Sequence, residues 1–204
     1  MPNRLTMPMG EAMYTQRAIR RLKPDPISDE DIKTLIDAAQ KAPNGGNQQP
    51  ARFLVLKDRE IIKKFGALYH EAWWAKRKDQ GWNGPEDIPK DNKTMQSAMR
   101  LADEIKDAPL IVLGCSLRPG MENSVFPPIQ NLMLAARCLG IGSTFTTLHP
   151  TVMERVHDLL GIPKDISVLC CIPLGYPRGN FGPTVRKASS EVTYYDRWEG
   201  TPPW

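Results

Sequence analysis

Arginines close to the amino terminus are the first residues of this chain whose type and spacing suggest chemistry. The segment 16–22 reads QRAIRRL and carries Arg17, Arg20 and Arg21. A guanidinium group is a planar donor that binds phosphate and can stabilise a developing negative charge. A solvated charged face would contain the same residues, and for this segment taken alone that is the favoured interpretation.

The loop 42–50, which reads APNGGNQQP, combines glycines with side-chain amides after a predicted helix. Glycine allows the backbone to approach a flat ligand closely. An ordinary helix-to-strand loop needs one glycine rather than this run of polar residues between prolines. A binding role and a plain connection are equally compatible with the loop.

Two further segments place small or hydroxyl residues at the ends of apolar elements. The segment 139–148 reads LGIGSTFTTL and could present backbone N–H groups to a ligand. A helix that stops at glycine before a β-branched strand is the alternative, and for this segment alone it is favoured. The segment 174–177, LGYP, followed by Arg186, is by itself only the end of a strand.

The familiar signatures of side-chain catalysis are missing from the sequence. There is no Ser-His-Asp order, GxSxG, Walker loop or pair of carboxylates, and the GxG at 140–142 follows a helix, which is the wrong context for a dinucleotide turn. We therefore predict no catalytic side chain, so that a bound cofactor must carry the reaction. The four cysteines form no CxxC pair and the three histidines are scattered; reduced thiols and no metal site are expected.

Periodicity predicts a single domain over residues 1–204, with a helix-rich α+β fold and a small mixed sheet. Helices are predicted at 29–41, 59–76, 93–105, 129–139 and 152–160, and strands at 52–57, 110–115 and 166–174. The pattern does not give the strand order. Residues 79–92, rich in Gly, Pro and charge, are predicted to be a mobile excursion. Residues 177–204 cannot form a core and should be an extended arm that lies across another surface.

Composition and charge restrict the classes of partner. The chain is 41% hydrophobic and 25% charged, with a formal net charge of +4. That charge suits an anionic cofactor but does not indicate a nucleic-acid partner. No apolar run is long enough for a signal peptide or a membrane span. A cytoplasmic protein without a membrane partner is the expectation.

Taken together and in order, these segments resemble the nitroreductase family of flavoproteins. Its Arg-Arg-Ser-x-Arg element is matched by 16–20, and its Ala-Pro-Ser-x-x-Asn-x-Gln-Pro loop by 42–50. Its Gln-Asn-Leu-x-Leu-Ala-Ala-x-x-Leu-Gly helix is matched by 130–140, and its Leu-Gly-Tyr-Pro strand end and later Arg by 174–177 and Arg186. Gln16 and Ala18 depart from the pattern, since they remove a charge and a hydroxyl that the family offers to phosphate.

The resemblance implies a nitroreductase-like fold, an intertwined homodimer with exchanged terminal arms, and one FMN in each of two interface sites. It places the opening arginines on the phosphate and the flavin pyrimidine, the 43–47 loop on the flavin of the partner subunit, and 146–148 near flavin N5 and O4. The implied cofactor-binding residues are Arg17, Ala18, Arg20, Pro43, Asn44, Gly45, Asn47, Thr146, Thr147, Leu148 and Arg186.

The implied function is transfer of hydride from NADH or NADPH, through flavin N5, to a small electron-poor acceptor by a ping-pong mechanism. A nitroaromatic, a quinone or an enone would be such an acceptor. Arg20 is expected to stabilise the reduced flavin, and Trp73 and Trp74 could stack on the substrate. Equally, one of these tryptophans could belong to the core and the other to the dimer interface. A dehalogenase-like or other specialised branch of the superfamily, and a non-catalytic FMN-binding redox module, are the alternatives.

Overall fold

Six α-helices and four β-strands form the regular structure of residues 4–204, the part of the chain that this computed structural model describes. The helices are α1 (Met9–Thr15), α2 (Asp29–Ala39), α3 (Arg59–Lys78), α4 (Lys93–Glu104), α5 (Phe126–Cys138) and α6 (Met153–Leu160). The strands are β1 (Ala51–Leu56), β2 (Leu110–Ser116), β3 (Gly142–Ser143) and β4 (Ser167–Gly175). The α+β fold class predicted from the sequence is confirmed.

Side chains that accept from free backbone N–H groups determine where three of these helices begin. The hydroxyl of Ser28 accepts from the N–H of Asp31 at 3.0 Å at the start of α2. Asp58 and Asn92 cap α3 and α4 in the same way. A cap of this kind contributes about 1 kcal/mol, because the first turn of a helix leaves its N–H groups without intrahelical partners.

The four strands form one sheet in the order β1-β2-β4-β3, in which every ladder is antiparallel. The sheet was predicted to be mixed, but its four strands pair only antiparallel, so this detail of the prediction is wrong. The parallel pairing found in residues 4–204 is an isolated bridge between Ala18, which belongs to no strand, and Ser143. β2 is buried along its whole length, as its continuous apolar run predicted, because it lies in the interior of the sheet. β1 and β3 form the two edges.

Apolar side chains pack into two cores, one on each face of the sheet. Ile111, Leu113 and Cys171 belong to the core that includes side chains of α3, α4 and α6. Val112 and Cys170 belong to the core that includes side chains of α2 and α5. Successive strand residues point to opposite faces, which is why the adjacent cysteines lie in different cores, as predicted.

Three parts of the structure differ from, or add to, the predicted elements. α1 and the two-residue β3 were not predicted, and α5 begins at Phe126 rather than at residue 129. The early start of α5 includes two prolines, which a first helical turn tolerates because its N–H groups need no intrahelical acceptor. Within the predicted excursion 79–92, Ile88 is only 2% exposed and packs in the core with α3, so the segment is anchored.

The carboxyl-terminal residues 177–204 contain no named α-helix or strand. They carry two aromatic pairs, Tyr194 with Trp198 and Tyr195 with Trp204, whose ring centroids are 4.4 Å and 5.5 Å apart. All four rings are substantially exposed. Among the described residues, no helix is long and apolar enough to cross a membrane.

Candidate functional site

The arginine segment runs along the short edge strand β3. The N–H of Ile19 donates to the carbonyl of Ser143 at 2.9 Å, and the hydroxyl of Thr144 donates to the carbonyl of Ile19 at 2.7 Å. Ile19 is buried whereas Arg17 and Ala18 are exposed. The sheet edge therefore fixes the course of the backbone on which Arg17 and Arg20 are carried.

Three partly buried cations lie close to the 146–148 segment: Arg20 and Arg77 lie near Tyr69, whose hydroxyl contacts Thr146, and Lys76 contacts Thr147. Burial lowers the pKa of Arg20, of Lys76 and of Arg77. Arg20 and Arg77 lie close enough to Tyr69 to interact with it electrostatically. None of the three cations forms a salt bridge within residues 4–204. A ligand rich in negative charge or in acceptors would supply the missing counter-charge.

Arg77 adds a second sign that a polar partner is missing from this cluster. Its guanidinium carbon lies 4.9 Å from the centroid of the Trp73 ring, and one terminal nitrogen contacts the sulfur of Met95 at 3.6 Å. Its Nε atom is buried and has no hydrogen-bond partner among the described residues. Such an atom normally has an acceptor.

The segment 146–148 presents two free backbone donors close to these cations. The N–H of Thr146 donates to the carbonyl of Cys171 at 3.1 Å, and the N–H of Cys171 returns a bond of 2.8 Å. The N–H groups of Thr147 and Leu148, by contrast, have no acceptor in the described part of the chain. Two consecutive free amides can bind adjacent acceptors on the edge of a planar ligand.

The loop that contains Pro43, Asn44, Gly45 and Asn47 is held in a defined shape. The side-chain oxygen of Asn44 accepts from the N–H of Gln49 at 2.8 Å, and the N–H of Gly45 donates to the hydroxyl of Ser124 at 3.1 Å. Asn47 has a φ of 52°, in the left-handed region that asparagine tolerates better than most residues. Pro43, Gly45 and Asn47 are exposed.

Within a single chain, this loop and the arginine segment lie far apart. The loop leads into β1, whereas Arg17–Arg20 and Thr146 lie at the opposite edge, beside β3 and β4. Three strand spacings, about 14 Å, separate the two edges. The predicted residues therefore form two half-sites on different edges of the sheet.

The remaining predicted residues lie apart from the free amides or inside the protein. Trp73 is 7% exposed and belongs to a core, where it meets Trp74 edge-to-face at 4.9 Å between centroids. Trp74 is half-buried and retains some open surface. Arg186 is exposed, and its guanidinium donates to the carbonyl of Val185. No group of three or more potential metal ligands occurs in residues 4–204.

Sequence reasoning did not select Tyr69, Lys76 or Arg77 as site residues. Their signal is their spacing on α3, because positions i, i+7 and i+8 fall near one face of a helix. That face is otherwise apolar. The sequence alone therefore also allowed the charged residues to lie at its solvent-exposed border. Only the contact of α3 with the 146–148 segment shows where they point.

Comparisons with known proteins agree on one family. The family model described as "Nitroreductase family" matches residues 14–176. A protein of Archaeoglobus fulgidus, provisionally named an NADH dehydrogenase/NAD(P)H nitroreductase, is 31% identical over 176 residues, which cover 81% of this chain and 83% of the relative. An iodotyrosine deiodinase of Thermotoga neapolitana is 25% identical over 177 residues, covering 79% of this chain and 84% of the relative.

Solved structures share the fold at low sequence identity. Oxidized iodotyrosine deiodinase bound to FMN and 3-iodo-L-tyrosine superposes with a TM-score of 0.75 at 23% identity, covering 93% of this chain and all of that one (100%). A nitroreductase with bound FMN from Desulfitobacterium hafniense gives a TM-score of 0.69 at 21% identity, with 96% and 100% of the two chains covered. At these identities the likeness is evidence for the fold.

Proposed function

This chain belongs to the nitroreductase family, and on that premise we propose that it is an FMN-dependent enzyme that transfers hydride from NADH or NADPH to a small electron-poor acceptor. The observation that carries the proposal is the pair of free amides at Thr147 and Leu148, beside partly buried cations that form no salt bridge in residues 4–204. An isoalloxazine ring has acceptors along both polar edges, and FMN adds a phosphate dianion. The donors of this site fit that group.

The residues that would hold the ring can be grouped by the atoms that they present to it. The N–H groups of Thr147 and Leu148 would donate to N5 and O4. Thr146 would lie near the ring without donating its N–H to it, because that N–H already donates to the carbonyl of Cys171. Arg20, half-buried at the sheet edge, would serve the N1–C2=O edge, where a guanidinium stabilises negative charge best in a partly dry site.

The phosphate would be bound by more exposed residues. Arg17 is exposed and lies in the extended segment beside β3, and Arg186 is exposed in the carboxyl-terminal segment. Ala18 lacks the hydroxyl that the family offers here, so it can contribute only backbone. A phosphate dianion held by two guanidinium groups gains charge-assisted hydrogen bonds.

FMN, when bound, supplies the centre that accepts hydride from the nicotinamide and passes it to the acceptor in a second half-reaction. The chain contributes binding, orientation and electrostatic stabilisation. Its cations would favour the more negative form of the cofactor. Trp74 retains a partly open surface for stacking, whereas Trp73 is enclosed.

A homodimer would complete the site. The Pro43–Asn47 loop lies at the edge opposite Arg20 and therefore would serve the FMN of a second copy. The exposed aromatic residues of 177–204 suit an arm that packs on the second copy, because exposed rings of this size gain stability when an interface covers them.

The proposal is tested with the purified protein and its bound pigment. We expect a yellow protein that releases FMN on heating, and NADH or NADPH should bleach it rapidly under anaerobic conditions. A nitroaromatic or a quinone should then restore the oxidised spectrum and support continued NAD(P)H oxidation. A module without catalytic activity would be reduced once and stall. Colourless protein that takes up no added FMN would rule the proposal out.

Reductive dehalogenation is the second candidate, and two findings favour it. Iodotyrosine deiodinases occur among the relatives, and a deiodinase structure superposes with a TM-score of 0.75. Turnover of a halophenol compared with a nitroaromatic, at matched concentrations and with dithionite or NAD(P)H as reductant, separates the two candidates. Halide release without reduction of the nitroaromatic would favour the dehalogenase.

A further inference from the structure

Two side chains of α3, two helical turns apart, form hydrogen bonds with the segment that carries the free amides. The hydroxyl of Tyr69 lies 2.9 Å from the hydroxyl of Thr146. Lys76 donates from Nζ to the carbonyl of Thr147 at 3.1 Å and also contacts the hydroxyl of that residue. Residues seven apart lie on one face of a helix, so a single rigid element holds two successive residues of the segment.

Burial shields the contacts of Tyr69 and Lys76 from water. Tyr69 is 2% exposed, and burial raises the pKa of its hydroxyl far above the ordinary value, so the group remains a neutral hydrogen-bonding partner. Lys76 is half-buried and forms no salt bridge in the described chain, which leaves Thr147 as its hydrogen-bonding partner. Hydrogen bonds shielded from water compete less with solvent than exposed ones do.

The neighbouring residues of the segment are fixed as well. The backbone of Thr146 pairs with that of Cys171 in β4. Farther along, the Nε2 atom of His149 lies 2.9 Å from a carboxylate oxygen of Asp79, the residue that follows α3. Thr147 and Leu148 therefore lie between anchored residues, and the direction of their free N–H groups follows from contacts made by α3 and β4.

We propose that Tyr69 and Lys76 are positioning residues that aim the N–H groups of Thr147 and Leu148 at the flavin. This inference rests on the proposed function, since it concerns the same site. Donors that are already oriented stabilise developing charge without a cost of reorganisation during the reaction. Neither side chain needs to touch the ring for this effect, because each acts through the backbone of the segment.

The test uses two variants and a control in the full-length, FMN-loaded protein. Tyr69→Phe removes one hydroxyl and no charge, and Lys76→Met removes the ammonium group while keeping a long side chain. Lys78→Met is the control, because Lys78 is exposed on the same helix and its side chain forms no hydrogen bond or ion pair among the described residues. The readouts are amide hydrogen exchange at Thr146 and Cys171, the midpoint potential of the bound flavin, and the rate of its reduction by NAD(P)H.

Both variants should loosen the segment locally and weaken its effect on the flavin. We expect exchange at the paired amides of Thr146 and Cys171 to become about tenfold faster, with no change at Leu113 in β2. The midpoint potential should become more negative in both variants, because less well-aimed donors withdraw less electron density from the ring. Flavin reduction should slow about tenfold. Lys78→Met should match the wild type in every readout.

Three results would overturn the inference. If Tyr69→Phe matches the wild type while Lys76→Met alone shifts the potential, Lys76 acts through its charge and not through the segment. If exchange rises equally at Leu113, the side chains only support global stability. If the wild type takes up no FMN, the proposed function fails and the inference with it, whereas either of the first two results in a flavin-loaded protein leaves the proposed function standing.

Discussion

At the scale of single residues, the site is defined by polar groups whose partners are missing. Among residues 4–204, Arg20, Lys76 and Arg77 are partly buried cations that form no salt bridge, and the amides of Thr147 and Leu148 lack acceptors. Groups in this condition cost stability until a ligand compensates them. Binding of that ligand should therefore stabilise the fold, because any ligand that prefers the folded state shifts the unfolding equilibrium.

Replacing Arg20 with alanine tests the electrostatic part of this site. The variant should retain FMN less well, or its flavin should be reduced by NAD(P)H roughly tenfold more slowly, a loss of about 1.4 kcal/mol. The reason is that no guanidinium would then face the N1–C2=O edge. Flavin content per subunit and stopped-flow reduction are the measurements.

Arg21→Ala is the matched control for that change. Arg21 is exposed at the adjacent position and its side chain forms no hydrogen bond or ion pair within residues 4–204, so the variant loses the same charge from the same segment. It should behave almost as the wild type. Equal losses in the two variants would mean that general positive charge, and not the position of Arg20, supports the cofactor.

The buried thiol of Cys115 predicts a loss of stability at alkaline pH. Burial raises its pKa from the ordinary 9.0 to about 11. Between these values the unfolded chain releases the proton while the folded chain keeps it, so stability is complete below pH 9 and falls as the pH rises towards 11. The thiol should account for a loss of roughly 2 kcal/mol across that window.

Urea unfolding of Cys115→Ala and wild type, both under reducing conditions, measures this contribution. The variant should be less stable at pH 8, because it leaves a small cavity, but its stability should fall less between pH 9 and 11. Other buried groups with raised pKa values, such as Tyr69, titrate in both proteins and cancel in the difference. Parallel curves for the two proteins would contradict the assignment.

At the scale of elements, the site depends on how closely the arginine segment approaches β3. A Cβ atom added to Gly142 would lie 2.6 Å from a methyl carbon of Ile19, well inside van der Waals contact. The glycine is therefore needed for the close approach rather than for an unusual backbone angle. The segment cannot move away without breaking the bond between Ile19 and Ser143.

Gly142→Ala should consequently separate the arginine segment from the sheet edge. We expect a loss of roughly 1–3 kcal/mol in unfolding free energy, which corresponds to a fall in Tm of about 2–4 °C per kcal/mol for a chain of this length. FMN affinity should fall as well, because Arg17 and Arg20 are carried on the displaced segment. Thermal denaturation and flavin titration check both effects.

Gly179→Ala serves as the control for that substitution. A Cβ at Gly179 has no neighbouring atom within 4 Å, so the added methyl group meets only open space. This variant should keep the Tm and the flavin affinity of the wild type. A Gly142→Ala protein that matches it in both measurements would show that the edge can adjust at no cost.

At the scale of the whole molecule, the sheet keeps the two half-sites apart. The Pro43–Asn47 loop belongs to the β1 edge, and Arg20 with the 146–148 segment belongs to the β3 edge. A symmetric pair of chains can bring each half-site to the complementary one of the partner. The proposed dimer is therefore a requirement of the proposed site.

Mixing two defective variants tests the shared site directly. Arg20→Ala damages one half-site and a deletion within 44–47 damages the other. In a mixed dimer, one of the two interface sites would contain only wild-type residues, so co-expression should restore activity in about a quarter of all sites if chains pair at random. Homodimers of each variant should remain weak. Light scattering should give the mass of a dimer.

Failure of the mixture to recover activity would have a clear meaning. If dimers form but activity stays at the level of the parent variants, each site is built within one chain. If the flavin-loaded wild type is a monomer by light scattering, the loop at the β1 edge cannot contribute from a partner. Either result would remove the proposed role of Pro43, Asn44, Gly45 and Asn47.

Local sequence patterns were sufficient for much of the fold. Five of the helices and three of the strands lie within a few residues of their predicted bounds. Local features suffice here, such as the cap at Ser28 and the uninterrupted apolar run of β2. Each involves only a few neighbouring residues, so it can be predicted without knowledge of the rest of the chain. The opposite orientation of Cys170 and Cys171 followed from strand geometry alone.

The sequence by itself thus determined where the elements lie, which family the motifs resemble, and that a cofactor must carry the chemistry. Only the tertiary structure decided that β1 and β3 are opposite edges, that Ile88 anchors the 79–92 segment, and that Tyr69 and Lys76 hold Thr146 and Thr147. The contacts of Tyr69 and Lys76, for example, join residues 77 and 71 positions apart. No local periodicity encodes such contacts, because they arise only when separate elements pack against one another.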